Sequence, residues 1–197
     1  NKEFAFYQLP VELDVFDQEA FARSGIDFYT VLTNVESGEA EYVKIYDAFE
    51  QMETLRATSA MPFVSKMVEI NGKKYLDGGI ADSIPLRFCQ QLGYDKIIVV
   101  LTRPLDYRKT PTNPLIFNAF YRRYPKLVER LANRYADYNH TVEDIIRLNE
   151  QGEIFVIRPS VTLPIRRIEK DVAKVQAMYD LGVRDGQDIL PALKAYL

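Results

Sequence analysis

The sequence predicts an α/β fold: a mainly parallel sheet with flanking helices, a β-hairpin leading to an Asp-Gly-Gly motif, and a helical C-terminal region. Three observations carry this expectation. Lys96–Thr102 holds the unbroken apolar run Ile97-Ile98-Val99-Val100-Leu101, which is what a central parallel strand requires. A short helical pattern precedes that run and an earlier strand precedes the helix, which is the strand–helix–strand order of α/β proteins. Asn71-Gly72 separates Val68-Glu69-Ile70 from Lys73-Lys74-Tyr75-Leu76. Asn-Gly accepts positive φ at both central turn positions, so these runs form a tight hairpin.

In chain order, Ile26–Val35 is β-branched and aromatic with few charges and reads as a buried strand. After a Ser37-Gly38 turn, Glu41–Tyr46 alternates polar and apolar, as a half-exposed antiparallel partner does. Asp47 caps a helix through Phe49, Met52 and Leu55 towards Thr58, and Pro62 stops it. Past the hairpin and Asp77-Gly78-Gly79, Ser83 is an N-cap and Pro85 suits the first turn of a helix that ends at Gly93. Residues 103–114, with Pro104, Pro111 and Pro114, make a surface loop. Helical spacing runs from Leu115 to about Asn139, interrupted at Pro125. Thr141 then caps a further helix through Ile145 and Leu148 to Gly152. Glu153–Ile157 is a short strand, and Asp171–Leu197 is helical with a break near Gly182–Gly186. The pattern holds no repeat and no linker, so residues 1–197 read as one domain: 1–104 carry the sheet and the Asp-Gly-Gly motif, and 105–197 are mostly helical with one strand.

Composition narrows the function classes. With 47% hydrophobic and 27% charged residues, the chain is ordinary for a globular protein. A net charge of −3 offers no basic footprint for nucleic acid. No apolar run approaches the length of a membrane span, and Asn1-Lys2-Glu3-Phe4 opens no apolar leader. The single Cys89 excludes an internal disulfide, fits a reducing, cytoplasmic compartment, and with one histidine excludes a cysteine-held zinc site.

Asp77 is the first candidate for chemistry. A carboxylate at the end of a strand, followed by two glycines, is presented where ligands approach, with no bulky neighbour on the next residues. It has the chemistry to orient or deprotonate a nucleophile brought by another segment. The competing reading is a turn cap, with Gly78 and Gly79 supplying unusual dihedrals.

The surrounding residues bear on that choice. Arg56-Ala57-Thr58-Ser59-Ala60-Met61-Pro62, the hairpin, Tyr75-Leu76-Asp77-Gly78-Gly79 and Ser83-Ile84-Pro85 resemble the patatin-like phospholipase family. Tyr94–Pro104, Tyr121–Pro125 and Phe155–Pro159 resemble its bacterial branch, so the likeness extends from about Asp27 to about Gly182. The resemblance implies a patatin-like α/β hydrolase in which a serine on a strand-to-helix elbow pairs with Asp77, without an intervening histidine. It implies that Gly78, Gly79, Ser59 and Pro62 support the motif, that the substrate is a fatty-acyl ester or phospholipid, and that no cofactor or metal takes part. In the family, the glycine-rich oxyanion segment and the Gly-x-Ser-x-Gly elbow lie upstream of Asp-Gly-Gly, and neither occurs before Asp77. The resemblance therefore implies a C-terminal portion incomplete at its N-terminus, inactive alone. The alternative is a non-catalytic binding or scaffolding domain that lost its nucleophile.

Other residues are read more plainly. Ser59 and Ser83 lack elbow glycines and do not replace the missing serine. His140 reads as a surface or capping residue at a helix junction. Asp82 has no third ligand for a metal and reads as a turn stabiliser. Cys89, among Leu86, Phe88 and Leu92, reads as a buried, inert thiol. A phosphoryl-transfer role for Asp77 calls for a second Asp at position 79, which is Gly79. The cluster Phe117, Phe120, Tyr121, Arg122, Arg123 and Tyr124 reads first as a core-facing stripe with solvated arginines, and second as a face for transient membrane contact.

Overall fold

A computed structural model describes residues 3–166 and 169–197. The opening Asn1-Lys2, part of the segment read above as having no apolar leader, lies outside them. The chain divides into two compact units, one from Asn1–Ile84 and Thr110–Asp137, the other from Pro85–Lys109 and Tyr138–Leu197.

The first unit is built on strands β1 (Phe28–Asn34), β2 (Ala40–Ile45), β3 (Val68–Ile70) and β4 (Lys73–Asp77), in the order β2-β1-β4-β3. Every pairing is antiparallel, with Thr33 opposite Ala40, Leu32 opposite Asp77 and Val68 opposite Tyr75. Local turns dictate the β1–β2 and β3–β4 pairings. Asn34 Oδ1 accepts from the amides of Glu36 and Ser37 and folds the β1–β2 connection. Asn71 and Gly72 take φ of 51° and 76°, the paired positive values a two-residue hairpin needs. A parallel pair requires a crossover of a dozen or more residues, which these short loops do not offer. The expected mainly parallel sheet is therefore not what these residues form: the larger sheet is antiparallel, and the architecture is helices with mixed pairing.

Helix α1 spans Gln18–Arg23 and helix α2 spans Met52–Thr58. Asp47 caps a turn rather than α2 itself, accepting from the amides of Phe49 and Glu50. The core of this unit joins Leu32, Val35, Ala57, Val68, Leu76 and Ile80 to Phe117, Tyr121, Leu127 and Leu131. The last four come from α4 (Pro114–Tyr121) and the start of α5 (Pro125–Glu150).

The second unit contains α3 (Leu86–Gln91), β5 (Ile98–Val100), β6 (Phe155–Ile157), α6 (Val172–Tyr196) and the remainder of α5. Strands β5 and β6 pair in parallel. The Tyr196 hydroxyl ties this pair to α6, accepting from the Ile97 amide at 3.1 Å. The apolar run at 96–102 is not a central strand here: Ile97, Val99 and Leu101 are buried, whereas Ile98 and Val100 are 40% and 69% exposed.

Three helix boundaries differ from expectation. Pro125 starts α5, where its missing N–H is no loss, and the helix runs unbroken through His140 and Thr141, so Thr141 lies inside a helix rather than at its N-cap. α6 is continuous through Gly182 and Gly186. α3 begins after Pro85 with no side-chain cap, and the Ser83 hydroxyl turns elsewhere.

Candidate active site

The site is built by the end of β4 and the turn that follows. β1 lies alongside β4, and the backbone N–H of Asp77 donates to the Ala60 carbonyl at 2.9 Å. Asp77 is thereby held between β1 and the segment that follows α2. Its backbone carbonyl accepts from the hydroxyl of Thr33, a fully buried residue of β1, at 2.8 Å. The same Thr33 oxygen accepts from the Ala81 amide at 3.1 Å, so one side chain closes both ends of the turn.

Residues Gly78–Ile80 form one 3₁₀ turn. A Cβ on Gly78 would lie 2.0 Å from the Val31 carbonyl oxygen, so only glycine lets β1 and this turn meet. A Cβ on Gly79 would meet Asp77 Oδ1 at 3.1 Å. The two glycines thus do different jobs: Gly78 allows close backbone packing, and Gly79 leaves room beside the carboxylate.

Asp77 is half-buried. Its Oδ1 accepts from the Gly79 amide at 2.7 Å, the turn-capping bond that the sequence left as an alternative. Capping takes up one oxygen and fixes the carboxylate plane; it does not consume the group. The Gly79 carbonyl accepts from the Ser83 hydroxyl at 2.6 Å and from Arg134 Nε of α5. Asp82 stabilises the turn, accepting from the Ile84 amide at 3.2 Å and from the Tyr42 hydroxyl at 2.6 Å. Burial, followed by the Asp82 hydrogen bond and charge, pushes the Tyr42 hydroxyl well above its ordinary range.

The structure brings Asp77, Gly78, Gly79 and Ser83 together and adds Thr33 and Arg134. Ser59 lies on the other side of Ala60, exposed at the end of α2, with its hydroxyl donating to the Leu55 and Arg56 carbonyls. Pro62 is half-buried in the turn beyond. His140 lies within α5, its side chain 63% exposed and its Nε2 3.8 Å from Asp144. It is a surface residue, but not at a junction. Cys89 is half-buried rather than fully buried. Among the described residues, no cluster of three or more His, Cys, Asp or Glu side chains is placed to hold a metal. No described helix is long and apolar enough to cross a membrane.

The stretch carrying this geometry matches a known family: the model described as Patatin-like phospholipase covers residues 10–89, from before α1 into α3. Residues 10–89 are thus similar to that family's model, which covers less than half of the chain. The match takes in the hairpin and the Asp-Gly-Gly turn. A second model, a domain of unknown function (DUF6363), matches residues 124–197, so the patatin-like match stops short of the C-terminal region where the sequence resemblance continued. The chain is also similar to the uncharacterized protein YjjU of Escherichia coli (strain K12), at 30% identity over 109 residues. That alignment covers 53% of this chain and 29% of the relative, so the chain spans less than a third of the relative's length.

Thr33, Tyr42 and Arg134 escaped the sequence reading because each reaches the turn from more than 35 residues away in the chain. Only Thr33 left a trace: a polar side chain amid Val31, Leu32 and Val35 needs a buried partner.

Proposed function

We propose that these residues form the acid-bearing part of a patatin-like lipid acyl hydrolase, with Asp77 as the base of a serine–aspartate dyad. The observation that supports this most directly is the carboxylate itself. Asp77 sits at a strand end, half-exposed, with one oxygen oriented by the Gly79 amide in a turn that only Gly78 permits. The serine would come from outside residues 1–197, since this chain contains no Gly-x-Ser-x-Gly and the longer YjjU is matched over 29% of its length.

In the proposed reaction the serine hydroxyl transfers its proton to the Asp77 carboxylate as its oxygen attacks the ester carbonyl. Collapse of the tetrahedral intermediate expels the alcohol, which takes that proton, and leaves an acyl-serine. Water then gives a proton to Asp77 while attacking the acyl carbonyl, and the proton returns to the serine as the fatty acid departs. Backbone N–H donors to the oxyanion, removal of one of which costs about 3–4 kcal/mol in comparable sites, would also come from outside this chain. The proton exchanged in each half of the cycle passes between the serine, Asp77 and the alcohol or water.

The test is Asp77→Asn in the full-length protein, assayed with a p-nitrophenyl ester. Loss of turnover with an unchanged circular-dichroism spectrum is expected; undiminished turnover removes Asp77 from the mechanism. A full-length sequence without Gly-x-Ser-x-Gly would instead leave a non-catalytic binding domain.

A further inference from the structure

The chain is acidic overall, yet two stretches of the first unit contain no Asp or Glu: residues 54–68 and 110–128. They meet at Phe63. Its ring stacks on Phe117 at 5.9 Å and sets an edge against Phe120 at 5.0 Å. Its backbone N–H donates to the Tyr121 hydroxyl at 2.9 Å. Phe63 adopts φ 67°, a left-handed conformation unfavourable for a bulky side chain and sustained only where surroundings enforce it.

Helix α4 divides its apolar residues between two faces. Phe117 and Tyr121, one turn apart, enter the core. Ile116 and Phe120, also one turn apart, and Leu115 remain 48%, 67% and 72% exposed, and Phe63 is 45% exposed. Arg122 and Arg123 follow directly at the helix end, both exposed. Core packing accounts for one face of this helix, and the other face stays largely exposed even where Phe120 meets Phe63.

We infer that the exposed face of α4, with Phe63, docks on an anionic phospholipid surface. Apolar side chains flanked by arginines in an acid-free stretch match the two layers of such a surface, acyl chains below and phosphate charge above. A second copy of the chain fits less well, because a two-fold contact sets each patch against itself and brings Arg122 and Arg123 towards their own copies. The face is also tied to the proposed site, since Ala60, whose carbonyl holds the Asp77 amide, lies three residues before Phe63. The purpose of docking rests on the lipid-hydrolase reading; the binding does not.

The experiment is co-sedimentation of the full chain with phosphatidylcholine vesicles, with and without 30% phosphatidylglycerol, at two salt concentrations. Binding is expected to require phosphatidylglycerol and to weaken with salt. Phe120→Asp should weaken it at least tenfold, and Arg122→Ala and Arg123→Ala roughly fivefold each, at the usual contribution of a basic residue near an anionic surface. Phe120 is exposed, so Phe120→Asp should keep the circular-dichroism spectrum. Equal sedimentation of Phe120→Asp and the parent chain, or indifference to phosphatidylglycerol, overturns the inference. Self-association that Phe120→Asp abolishes would overturn it in favour of a second copy. Absence of vesicle binding by the unsubstituted chain, alongside ester hydrolysis by the full-length protein that Asp77→Asn abolishes, would reject this surface and leave the dyad reading standing. Vesicle binding alongside hydrolysis indifferent to Asp77→Asn would reject the dyad alone.

Discussion

Two pairs of glycines in this molecule look alike on paper and are opposites in space. Gly78 and Gly79 follow β4, and a Cβ on Gly78 would lie 2.0 Å from the Val31 carbonyl oxygen. Gly182 and Gly186 sit inside α6, and a Cβ on either meets nothing within 4 Å. Gly78 is demanded by its surroundings and Gly182 and Gly186 are merely tolerated, so a glycine's meaning comes from what packs against it rather than from its helix-breaking reputation.

The sharpest way to break this contrast is Gly78→Ala. Its methyl cannot enter without separating the turn from β1, and overpacking against backbone has no flexible side chain to absorb it. Such strain commonly costs about 1–3 kcal/mol and sometimes more, and here it should reach or exceed the top of that range. Urea denaturation or soluble yield will report it, and a stable, soluble Gly78→Ala protein would show that the strand and turn stand further apart.

Thr33→Val comes next. The isosteric change removes the hydroxyl that donates to the Asp77 carbonyl and accepts from the Ala81 amide, both at a fully buried position. Leaving buried polar groups unpaired costs roughly 1–3 kcal/mol. The loss should appear in the denaturation midpoint without a change in slope.

Much of this architecture was readable because its causes are local. Asn71-Gly72 needs only its own dihedrals to specify a hairpin, and Ser37-Gly38 with the alternation of Glu41–Tyr46 specified the β1–β2 pairing. Asp77 was found as the end of the hairpin's second strand. What escaped was set by distance or by tertiary choice. Apolar content at Ile97–Leu101 measures burial potential, and a neighbour on each side is needed to make a central strand; in the described residues only β6 provides one. Thr141 and the α6 glycines favour an end to a helix by propensities of about 1 kcal/mol or less, which packing overrides. Arg134 bonds Gly79 across 55 residues of chain, and no spacing rule announces it.

A smaller effect separates the sheet's polar side chains from ordinary surface charge. The Tyr75 hydroxyl is pushed up to about 12 by burial, then by its hydrogen bond to Glu41 and that carboxylate's charge. Burial alone would raise the Glu41 carboxyl, but hydrogen bonds from Asn34 and Tyr75, with the Lys73 charge, hold it below its ordinary value. The signs follow from which state holds the proton more tightly. Tyr75 contributes fully below pH 10, and its contribution fades from there to about 12, because the unfolded chain ionises first. Glu41 contributes above its ordinary carboxyl range and loses that contribution as pH falls through its lowered value. Stability should therefore decline in alkali above pH 10, and Tyr75→Phe should flatten the decline. An identical alkaline slope in that variant would assign the loss to other groups, Tyr42 first.

The smallest expected effect tests the other half of the contrast, and its sign is opposite. Gly182→Ala and Gly186→Ala add methyls into open space on a continuous helix. Alanine loses less backbone freedom on folding and has the higher helix propensity, so each variant should gain about 0.4–1 kcal/mol. The residue in α6 that does interrupt the hydrogen-bond ladder is Pro191, which has no N–H to offer the Gln187 carbonyl. Gly182→Ala and Gly186→Ala should therefore raise the denaturation midpoint while Gly78 tolerates no such change. Destabilisation by Gly186→Ala would mean that α6 bends at that position in solution, restoring the break expected there from sequence. A gain from both would complete the contrast with Gly78, whose Cβ the Val31 backbone forbids.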